Sequence, residues 1–506
     1  MIEVTAWRES KIARVSYNSE DGKVIITWGL DGGEERKEFL LSDIKKICLE
    51  GYTSNYEVEL RGEGDKLLFK EKLLDKQDAE NLRLFLEQEV AEASDIFDAL
   101  KREPTSLEEA RKIINEKLSV SHDRFEPDKF LRFLLFQAKH TRATGVHFNP
   151  GQQDIRVRFR IDGFLFDVVR LNREIYNLLL SVAKRLAKMM DLKRIIPREG
   201  VFYLGFPEPL GVRISLMPVT EGEKMTLRIL PFESELPSLE ELGMSPDIYD
   251  RYHALLDRKK GMVLVCGPAG SGKTTTIYAS LLHRVEESGD TLNISTIEDP
   301  VESRVESFCQ TQVNTSAGLT TLRGLSSILR QDPDVIMVGE IRDHKVGELV
   351  LRAAVDEHLV FSTVQANNAI QAFVRLAEMG IPFPILKNSI LAALAQRLVR
   401  KICPYCAEEA VLPEPLKDRA SALGIDEINY KEGRGCPACN MTGYLGRTGI
   451  FEMFVPNREF FDLLQSQSPS EDLISLAEKS GYRPLSEDAT KKAVAGITTW
   501  EEINKF

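Results

Sequence analysis

Residues Gly261–Ser280 read GMVLVCGPAGSGKTTTIYAS, and this stretch decides the fold of the chain around it. The apolar run Met262–Cys266 predicts a buried strand, and the glycine-rich turn after it leads into a segment of helical character. The eight residues 267–274 fit the phosphate-binding pattern G-x-x-x-x-G-K-[ST]. A chance glycine turn is the alternative, but the strand before it and the helix after it speak against chance. The stretch therefore predicts a nucleoside triphosphate site.

The residue types of this loop suit a polyanion. Side chains in place of the loop glycines would block the approach of backbone N–H groups to phosphate, and the next helix points its positive end at the same place. We expect Lys273 to reach the β- and γ-phosphate oxygens and the Thr274 hydroxyl to ligate Mg²⁺. The predicted ligands are ATP and Mg²⁺. The predicted nucleotide-binding residues are Gly267, Gly270, Ser271, Gly272, Lys273, Thr274 and Thr275.

Two later segments predict strands that end in acidic residues. NISTIEDP, residues 293–300, ends in Glu298 and Asp299, and DVIMVGEIRD, residues 334–343, carries Glu340 at its tip. Because ligands of parallel sheets lie at the carboxyl ends of the strands, both tips are expected to face the phosphates. Hydrolysis needs one carboxylate to orient or deprotonate water and another to hold Mg²⁺ through its water shell. Glu298 and Glu340 are the predicted pair, although either signal alone is weak.

Length and composition are those of a globular protein with several domains. The chain has 506 residues, of which 43% are hydrophobic and 28% are charged. Its 66 basic and 78 acidic residues give a net charge of −12, which argues against a nucleic-acid translocase. No apolar run approaches the length of a membrane span, and the first residues lack a signal-peptide core. We expect a cytoplasmic protein without a nucleic-acid partner that meets membranes only through other proteins.

The amino-terminal part predicts a docking module. Short alternating runs separated by turn signals indicate a β-rich domain over residues 1–95, a small antiparallel sheet or barrel closed by an amphipathic helix from Asp78 to Ala93. The order of elements resembles a pleckstrin-homology-like module, and a docking domain of unknown partner is favoured over it. Residues 96–125 are expected to form polar helices that act as a connector.

Residues 126–232 predict a second α+β domain, and residues 240–400 alternate strands and helices in the pattern of a parallel α/β sheet. Arginines recur in the predicted strands of the α+β domain. A cationic side chain on a strand normally lies on the solvated face. These arginines could instead supply charge to a phosphate on a neighbouring subunit, and the sequence leaves both interpretations open. The arginines concerned are Arg156, Arg158, Arg160, Arg213 and Arg228.

Two C-x-x-C knuckles predict a zinc lobe over residues 401–445. Cys403 and Cys406 form the first knuckle, and Cys436 and Cys439 form the second, about thirty residues later. Each pair can present two thiolates to one tetrahedral ion, and four thiolates leave no open position for chemistry. A redox dithiol of the thioredoxin type needs one knuckle rather than a matched pair. A structural Zn²⁺ is therefore expected, followed by a helical region over residues 446–506.

Together these motifs resemble the ATPases of type II secretion and type IV pilus assembly, the GspE/PilB group. The resemblance runs from about residue 130 to the carboxyl end. It rests on the P-loop, STIEDPVE, GLTTLRGLSSILRQDPDVIMVGEIRD, AQRLVRKICPYC with the second knuckle, and GITTWEEI. VHFNP and VRFRIDG match the domain that precedes the ATPase in this family. The fold implied is α/β, with a RecA-like P-loop ATPase core, a preceding α+β (PAS-like) domain and a zinc-binding lobe.

The resemblance also implies a function and site roles. It implies a homohexamer that hydrolyses ATP to drive assembly of type IV pili or a type II secretion pseudopilus, working at the inner membrane with a platform protein and a membrane-linked docking protein. Glu298 would be the hydrolytic carboxylate and Glu340 the Walker B acid. Arg213 and Arg228 would approach the phosphates across a domain or subunit boundary. Assembly is favoured over retraction because retraction motors of this superfamily generally lack the tetracysteine lobe.

The sequence departs from the family pattern at several places. The histidine box S-T-L-H-T-N-D reads STVQANN here, so that Gln365 replaces the histidine and cannot titrate near neutral pH. Asp356 and Glu357 stand where Thr-Gly is usual, and Ser326 replaces a common arginine. Residues 144–150 read TGVHFNP in place of S-D-I-H-x-E-P. We hypothesise intact ATP binding with slower or differently regulated hydrolysis, and the alternative function is a regulatory ATP-binding paralogue.

Overall fold

The computed structural model describes residues 104–505 with gaps at 105, 121–124, 190–195, 206–209 and 290, together with seven strands between residues 2 and 73. The chain divides into two compact units, Met1–Leu230 and Pro231–Phe506. Every helix in the described part is too short or too polar to span a bilayer. The helix predicted from Asp78 to Ala93 lies outside the described residues.

The first seven strands form two antiparallel sheets rather than one sheet or a barrel. The four strands of the first sheet follow one another in chain order, and so do the three strands of the second, as expected for hairpin connections. The first sheet contains β1 (Ile2–Arg8), β2 (Lys11–Asn18), β3 (Lys23–Leu30) and β4 (Gly33–Leu40). The second contains β5 (Lys46–Tyr52), β6 (Asn55–Arg61) and β7 (Leu67–Leu73).

The rest of the first unit is an antiparallel sheet with three helices. The sheet has the order β10-β9-β8-β13-β12-β11. Its strands are β8 (Ala143–Pro150), β9 (Ile155–Ile161), β10 (Phe164–Leu171), β11 (Arg198–Leu204), β12 (Leu210–Val219) and β13 (Gly222–Leu230). The helices are α1 (Leu107–Val120), α2 (Pro127–His140) and α3 (Arg173–Leu186).

Side-chain alternation explains how this sheet acquires a core. In β9 the apolar residues at positions 155, 157, 159 and 161 are buried, whereas Arg156, Arg158 and Arg160 point to the opposite face. Phe159 packs in one cluster with residues of α2 and α3. Helix α1 also contributes to this cluster through Leu107, Ala110, Ile113 and Ile114, so the helical part of the expected connector is not polar throughout.

The second unit is built on a seven-stranded sheet with the order β16-β15-β17-β18-β14-β19-β22. All neighbours pair in parallel except β19 and β22, which are antiparallel. The strands are β14 (Gly261–Cys266), β15 (Ile294–Glu298), β16 (Cys309–Gln312), β17 (Val335–Val338), β18 (Leu359–Val364), β19 (Ile390–Ile402) and β22 (Tyr444–Phe454). Two short strands, β20 (Ala407–Glu409) and β21 (Lys431–Gly433), pair between β19 and β22 in the sequence.

Helices cover both faces of this sheet, as the alternation of strands and helices predicted. They are α4 (Pro246–Leu256), α5 (Lys273–Ser288), α6 (Thr321–Ile328), α7 (His344–Asp356), α8 (Ala369–Glu378), α9 (Phe383–Ser389), α10 (Glu414–Ala422), α11 (Arg458–Gln465), α12 (Ser470–Lys479), α13 (Leu485–Val494) and α14 (Trp500–Ile503). Strand β14 is buried throughout: Met262 and Leu264 belong to one core cluster, and Val263 and Val265 belong to another. A strand covered on both faces must be apolar at every position, which explains the continuous run.

The carboxyl-terminal part differs from the expected helical region. Residues 446–454 lie in β22, an edge strand of the seven-stranded sheet, and the four helices α11–α14 follow. Phe460 and Phe461 of α11 pack edge-on around Phe373 of α8 together with Phe454 of β22. This region therefore shares the core of the parallel sheet.

Candidate functional site

The predicted phosphate loop lies between the end of β14 and the start of α5. Gly267, Gly270 and Gly272 have φ angles of +148°, +78° and +90°, which side-chain-bearing residues rarely adopt. A Cβ at Gly267 would lie 2.6 Å from the main-chain oxygen of Gln396. Thr274 and Thr275 follow in the first turn of α5 and are half-buried. The loop thus has the backbone that the motif requires.

Gln396 of β19 supports the loop from the neighbouring strand. Its side chain is buried, and its Nε2 donates a hydrogen bond to the main-chain oxygen of Ser271 at 2.7 Å. The ammonium of Lys273 donates to the carbonyl oxygens of Gly267 at 3.0 Å and Pro268 at 2.9 Å. The lysine therefore lies across the loop that it is predicted to serve.

The two acidic strand tips lie side by side. Strands β15 and β17 pair in parallel, with Ile297 opposite Val338. Arg342 joins the tips: its Nε lies 2.6 Å from Oε2 of Glu340, and its Nη1 lies 3.4 Å from Oδ2 of Asp299. These contacts hold Glu340 at the carboxyl edge of the sheet, the edge at which β14 opens into the loop.

Electrostatics link this edge to the lysine. Burial lowers the pKa of the Lys273 ammonium, the negative charges of Glu340 and Glu302 raise it, and the positive charge of Arg397 lowers it further. A carboxylate can shift a lysine in this way only over a short distance. Glu340 and Glu302 are therefore the acidic groups that act on the predicted phosphate-binding cation.

Glu298 lies at the end of β15, as predicted, but its side chain is only 3% exposed. The Tyr278 hydroxyl of α5 donates to Oε2 at 2.5 Å, and the Thr296 hydroxyl donates to Oε1 at 2.6 Å. Burial raises the pKa of the Glu298 carboxyl against the effect of these hydrogen bonds. In this arrangement Glu298 ties the sheet to α5, and its role in hydrolysis stays a prediction.

Three residues near the loop were missed by the sequence analysis. Glu302 lies in the same STIEDPVE box as Glu298 and could have been selected from it. Gln396 and Arg397 belong to the quoted block AQRLVRKICPYC, and nothing in their local pattern distinguishes a loop support from an ordinary strand residue. Arg397 donates to the main-chain oxygen of Asn367 at 2.8 Å, beyond the end of β18.

Gln365, the residue in place of the family histidine, follows β18 directly and is exposed. The same strand end contacts the neighbouring acidic tip, because the hydroxyl of Thr363 donates to the main-chain oxygen of Gly339 at 2.7 Å. Gln365 is thus placed at the same edge of the sheet as Glu340.

Arg213 and Arg228 belong to the first unit. They are directly opposite each other on the neighbouring strands β12 and β13. Arg213 forms an ion pair with Glu199, and Arg228 is exposed. Residues directly opposite on neighbouring strands point to the same face of the sheet, and there Glu199 offsets the charge of Arg213.

The four cysteines of the two knuckles come together. The sulfur atoms of Cys403 and Cys436 are 3.8 Å apart, those of Cys406 and Cys439 are 3.9 Å apart, and those of Cys436 and Cys439 are 3.7 Å apart. Zinc–sulfur bonds of about 2.3 Å in a tetrahedron put sulfur atoms roughly 3.8 Å apart, so the four thiols fit one ion.

Backbone donors complete this cluster. The main-chain N–H groups of Cys436 and Gly443 point at the sulfur of Cys439, at 3.1 Å and 3.3 Å. Although burial opposes ionisation, these groups lower the pKa of the Cys439 thiol to about 7. Such N–H donors are typical of the outer shell of thiolate metal sites.

The motif GITTWEEI fastens the base of the lobe. Glu502 is buried and accepts hydrogen bonds from the guanidinium of Arg400 at 2.6 Å and from its main-chain N–H at 3.0 Å. The same guanidinium lies 3.9 Å from the ring centre of Tyr444. The carboxyl-terminal helix is therefore tied to the strands that lead into and out of the lobe.

Comparisons with known proteins agree with this arrangement. The family model described as Type II/IV secretion system protein matches residues 123–505. The type IV pilus assembly ATPase PilB of Thermus thermophilus is 38% identical over 387 residues, which cover 75% of this chain and 43% of that protein. The type II secretion system protein E of Pseudomonas aeruginosa is 38% identical over 396 residues, 77% of each chain. The type II secretion system ATPase E of Vibrio cholerae is 34% identical over 429 residues, 85% of this chain and 83% of that protein.

Two solved structures share the fold. The ATPase DotB of Legionella pneumophila superposes with a TM-score of 0.56 at 21% identity, over 75% of this chain and 95% of that chain. The pilus retraction motor PilT with bound ADP superposes with a TM-score of 0.51 at 24% identity, over 73% of this chain and 94% of that chain. Both confirm the α/β fold with a P-loop core.

The matched region contains the predicted phosphate loop, both acidic strand tips and the four clustered cysteines. The match covers most of the chain, and the identity to the three relatives is 34–38%, so the similarity is not limited to the short motifs. The chain therefore belongs to the Type II/IV secretion system protein family.

Proposed function

We propose that this chain is an ATPase that hydrolyses Mg·ATP on the loop 267–274 and converts the energy into assembly of a type IV pilus or a type II secretion pseudopilus. The observation that carries the proposal is the loop itself, with three glycines at positive φ and a lysine that is within electrostatic reach of Glu340. Relatives named as pilus assembly and type II secretion ATPases support it.

The site residues would divide the work as follows. The loop N–H groups and Lys273 hold the phosphates, and Thr274 ligates Mg²⁺. Glu340 holds the metal through its water shell, with Arg342 fixing its orientation. Glu302 adds a second negative charge next to Lys273. Glu298 is the proposed hydrolytic carboxylate, and its release from Tyr278 would free it to orient water.

We further propose a hexameric ring in which Arg213 and Arg228 supply positive charge to a phosphate across a domain or subunit boundary. Their position opposite each other on adjacent strands supports this role, since both guanidinium groups lie on one face of the sheet and could contact the same polyanion. The platform protein of the inner membrane and a membrane-linked docking protein are the proposed partners. The protein would then work in the cytoplasm at the inner membrane.

Zn²⁺ is the proposed occupant of the cysteine cluster, held by Cys403, Cys406, Cys436 and Cys439. With four thiolates around it, the ion would fix the lobe and take no part in hydrolysis.

The regulatory paralogue with weak hydrolysis is less well supported than the active motor. Gln365 is the observation in its favour. Against it, two relatives that match three quarters or more of the chain are named as ATPases, and the three loop glycines have the positive φ angles that favour glycine.

Steady-state ATP turnover of the purified full chain tests the proposal. We expect measurable Mg²⁺-dependent hydrolysis that Glu340→Gln lowers by about 100-fold or more, because the variant loses a carboxylate that the transition state needs. Glu378→Gln, which removes an equal charge at the exposed last residue of α8, serves as the control and should keep the wild-type rate. No turnover above background in the wild type, or equal rates in all three proteins, would contradict the proposal.

A further inference from the structure

A second cluster of metal-ligating side chains lies between α4 and the second half of α5. It consists of His253, His283 and Glu287, and the ligand atoms of all three lie within 4.8 Å of one another. His283 is ten residues along α5 from Lys273, roughly 15 Å at 1.5 Å per residue. The cluster is thus separate from the predicted nucleotide loop, and it shares no residue with the cysteine cluster.

The ligand atoms of this cluster converge. The Nε2 atoms of the two imidazoles are 2.9 Å apart, and Oε1 of Glu287 lies 3.7 Å from Nε2 of His253 and 3.4 Å from Nε2 of His283. Around a tetrahedral ion with bonds of about 2.0–2.1 Å, ligand atoms are roughly 3.3 Å apart, and around a right angle roughly 2.9 Å. The observed separations of 2.9, 3.4 and 3.7 Å lie on both sides of the tetrahedral value, so small side-chain shifts would bring the three atoms to the arrangement that Zn²⁺ adopts.

Two helices build this site with the spacing that it needs. His283 and Glu287 are four residues apart on α5 and therefore lie on one face, one turn from each other. His253 is near the end of α4, and its ring lies edge-on to that of His283 with the centroids 4.8 Å apart. The side chains are 32%, 15% and 38% exposed in chain order, so an ion and a water ligand can enter from solvent.

The two carboxylate oxygens of Glu287 face different groups: Oε2 faces the guanidinium of Arg284, and Oε1 faces the two imidazoles. Nη1 of Arg284 lies 3.7 Å from Oε2 of Glu287 and 3.5 Å from Oδ1 of Asp257, so Asp257 shares the charge of this arginine. Glu240 is also close enough to His283 for the two groups to interact electrostatically. The carboxylates of Glu287, Asp257 and Glu240 therefore accompany the guanidinium of Arg284 at this place.

We propose that His253, His283 and Glu287 bind one divalent transition-metal ion of the zinc class, which clamps α4 to the helix that follows the phosphate loop. Two imidazoles and one carboxylate are an established ligand set for Zn²⁺, with a water in the fourth position. The clamp would fix the outer end of α5, whose inner end carries Lys273.

Calorimetric titration of Zn²⁺ into the full chain, purified with its cysteine lobe loaded, tests this site. The metal content before and after titration is measured by mass spectrometry. We expect the wild type to take up one Zn²⁺ per chain more than His253→Gln or His283→Gln. Glu287→Gln should bind that ion at least about tenfold more weakly. Zn²⁺ should also raise the Tm of the wild type but not that of the histidine variants, because an ion bound only to the folded state stabilises it.

His344→Gln is the matched control. His344 and Glu348 form the same i,i+4 pair on α7 at 3.4 Å, but neither residue belongs to a three-ligand group among the described residues. This variant should bind Zn²⁺ as the wild type does. Retained Mg·ATP affinity in every variant shows that the fold is intact. Equal zinc content and equal Tm shifts in the wild type and the two histidine variants would overturn the proposal and leave a direct hydrogen bond between the imidazoles.

Discussion

Substituting Gly267 by alanine should remove nucleotide binding while the fold persists. The glycine has a φ of +148°, far from the left-handed minimum near +60°. Holding alanine there costs about 1–3 kcal/mol. The new Cβ would also lie 2.6 Å from the main-chain oxygen of Gln396, and overpacking of this kind costs about 1–3 kcal/mol more. The sum, about 2–6 kcal/mol, is below most of the range of about 5–15 kcal/mol that domains have for their free energy of unfolding.

The loop is the part that gives way, because Gln396 belongs to a strand paired on both sides. The main-chain N–H groups of the loop would then leave the positions in which they can bind phosphate. We expect Gly267→Ala to weaken Mg·ATP binding by at least about 100-fold, equivalent to about 2.7 kcal/mol, measured by titration calorimetry. Gly424→Ala is the control, since Gly424 has a φ of +66° and no atom within 4 Å of an added Cβ. It should cost about 1 kcal/mol and keep nucleotide affinity. Wild-type affinity in Gly267→Ala, with a loss of stability no greater than in Gly424→Ala, would refute the reasoning.

Three further changes have defined outcomes. Gln365→His should raise the rate of ATP turnover at saturating Mg·ATP, and an unchanged or lower rate would count against the role assigned to this position. Cys406→Ser should lose the zinc of the lobe by mass spectrometry and lower Tm, whereas Cys309→Ser, a change at an exposed cysteine, should do neither. Arg400→Met removes the buried guanidinium that pairs with Glu502 but leaves the Lys505 ammonium and the main-chain N–H of residue 400, and should cost about 3 kcal/mol, the low end for a broken buried pair, in denaturant unfolding. Although burial opposes it, the pairing lowers the pKa of Glu502 to about 2. The contribution of this pair is therefore complete above the ordinary carboxyl pKa and is lost as the pH falls toward 2.

The strand, the loop and the helix start of the predicted nucleotide site could be predicted because each depends on residues that are adjacent in the sequence. The apolar run and the glycines of the loop define β14 and the start of α5, and the observed strand Gly261–Cys266 extends the prediction by one residue. The parallel sheet followed from the alternation of strands and helices. Two knuckles of fixed spacing were sufficient to predict that four thiols meet, as their sulfur separations confirm.

Contacts between distant parts of the chain were not predictable. Glu298 is hydrogen-bonded to Tyr278 because β15 lies next to α5, which the acidic box itself does not indicate. Glu452 of β22 accepts hydrogen bonds from the main-chain N–H groups of Ala369 and Leu485, at the starts of α8 and α13. Nothing in its sequence neighbourhood distinguishes this buried carboxylate from a solvated one.

The placement of β22 shows the same limit at the level of topology. Residues 446–454 alternate too little to reveal an added antiparallel strand, and we expected a helical region there. Residues 449–454 are buried: Ile450 and Phe454 belong to one core cluster and Phe451 and Met453 to another, which explains why IFEMF is apolar except for Glu452.

The most direct test of the central claim is to measure Mg·ATP binding to the wild type and to Lys273→Ala by titration calorimetry. The wild type is expected to bind one nucleotide per chain, and the variant is expected to bind at least about 100-fold more weakly, since it loses the cation that holds the phosphates. No heat of binding in the wild type, or equal affinity in the two proteins, would contradict the assignment of residues 267–274 as the nucleotide site.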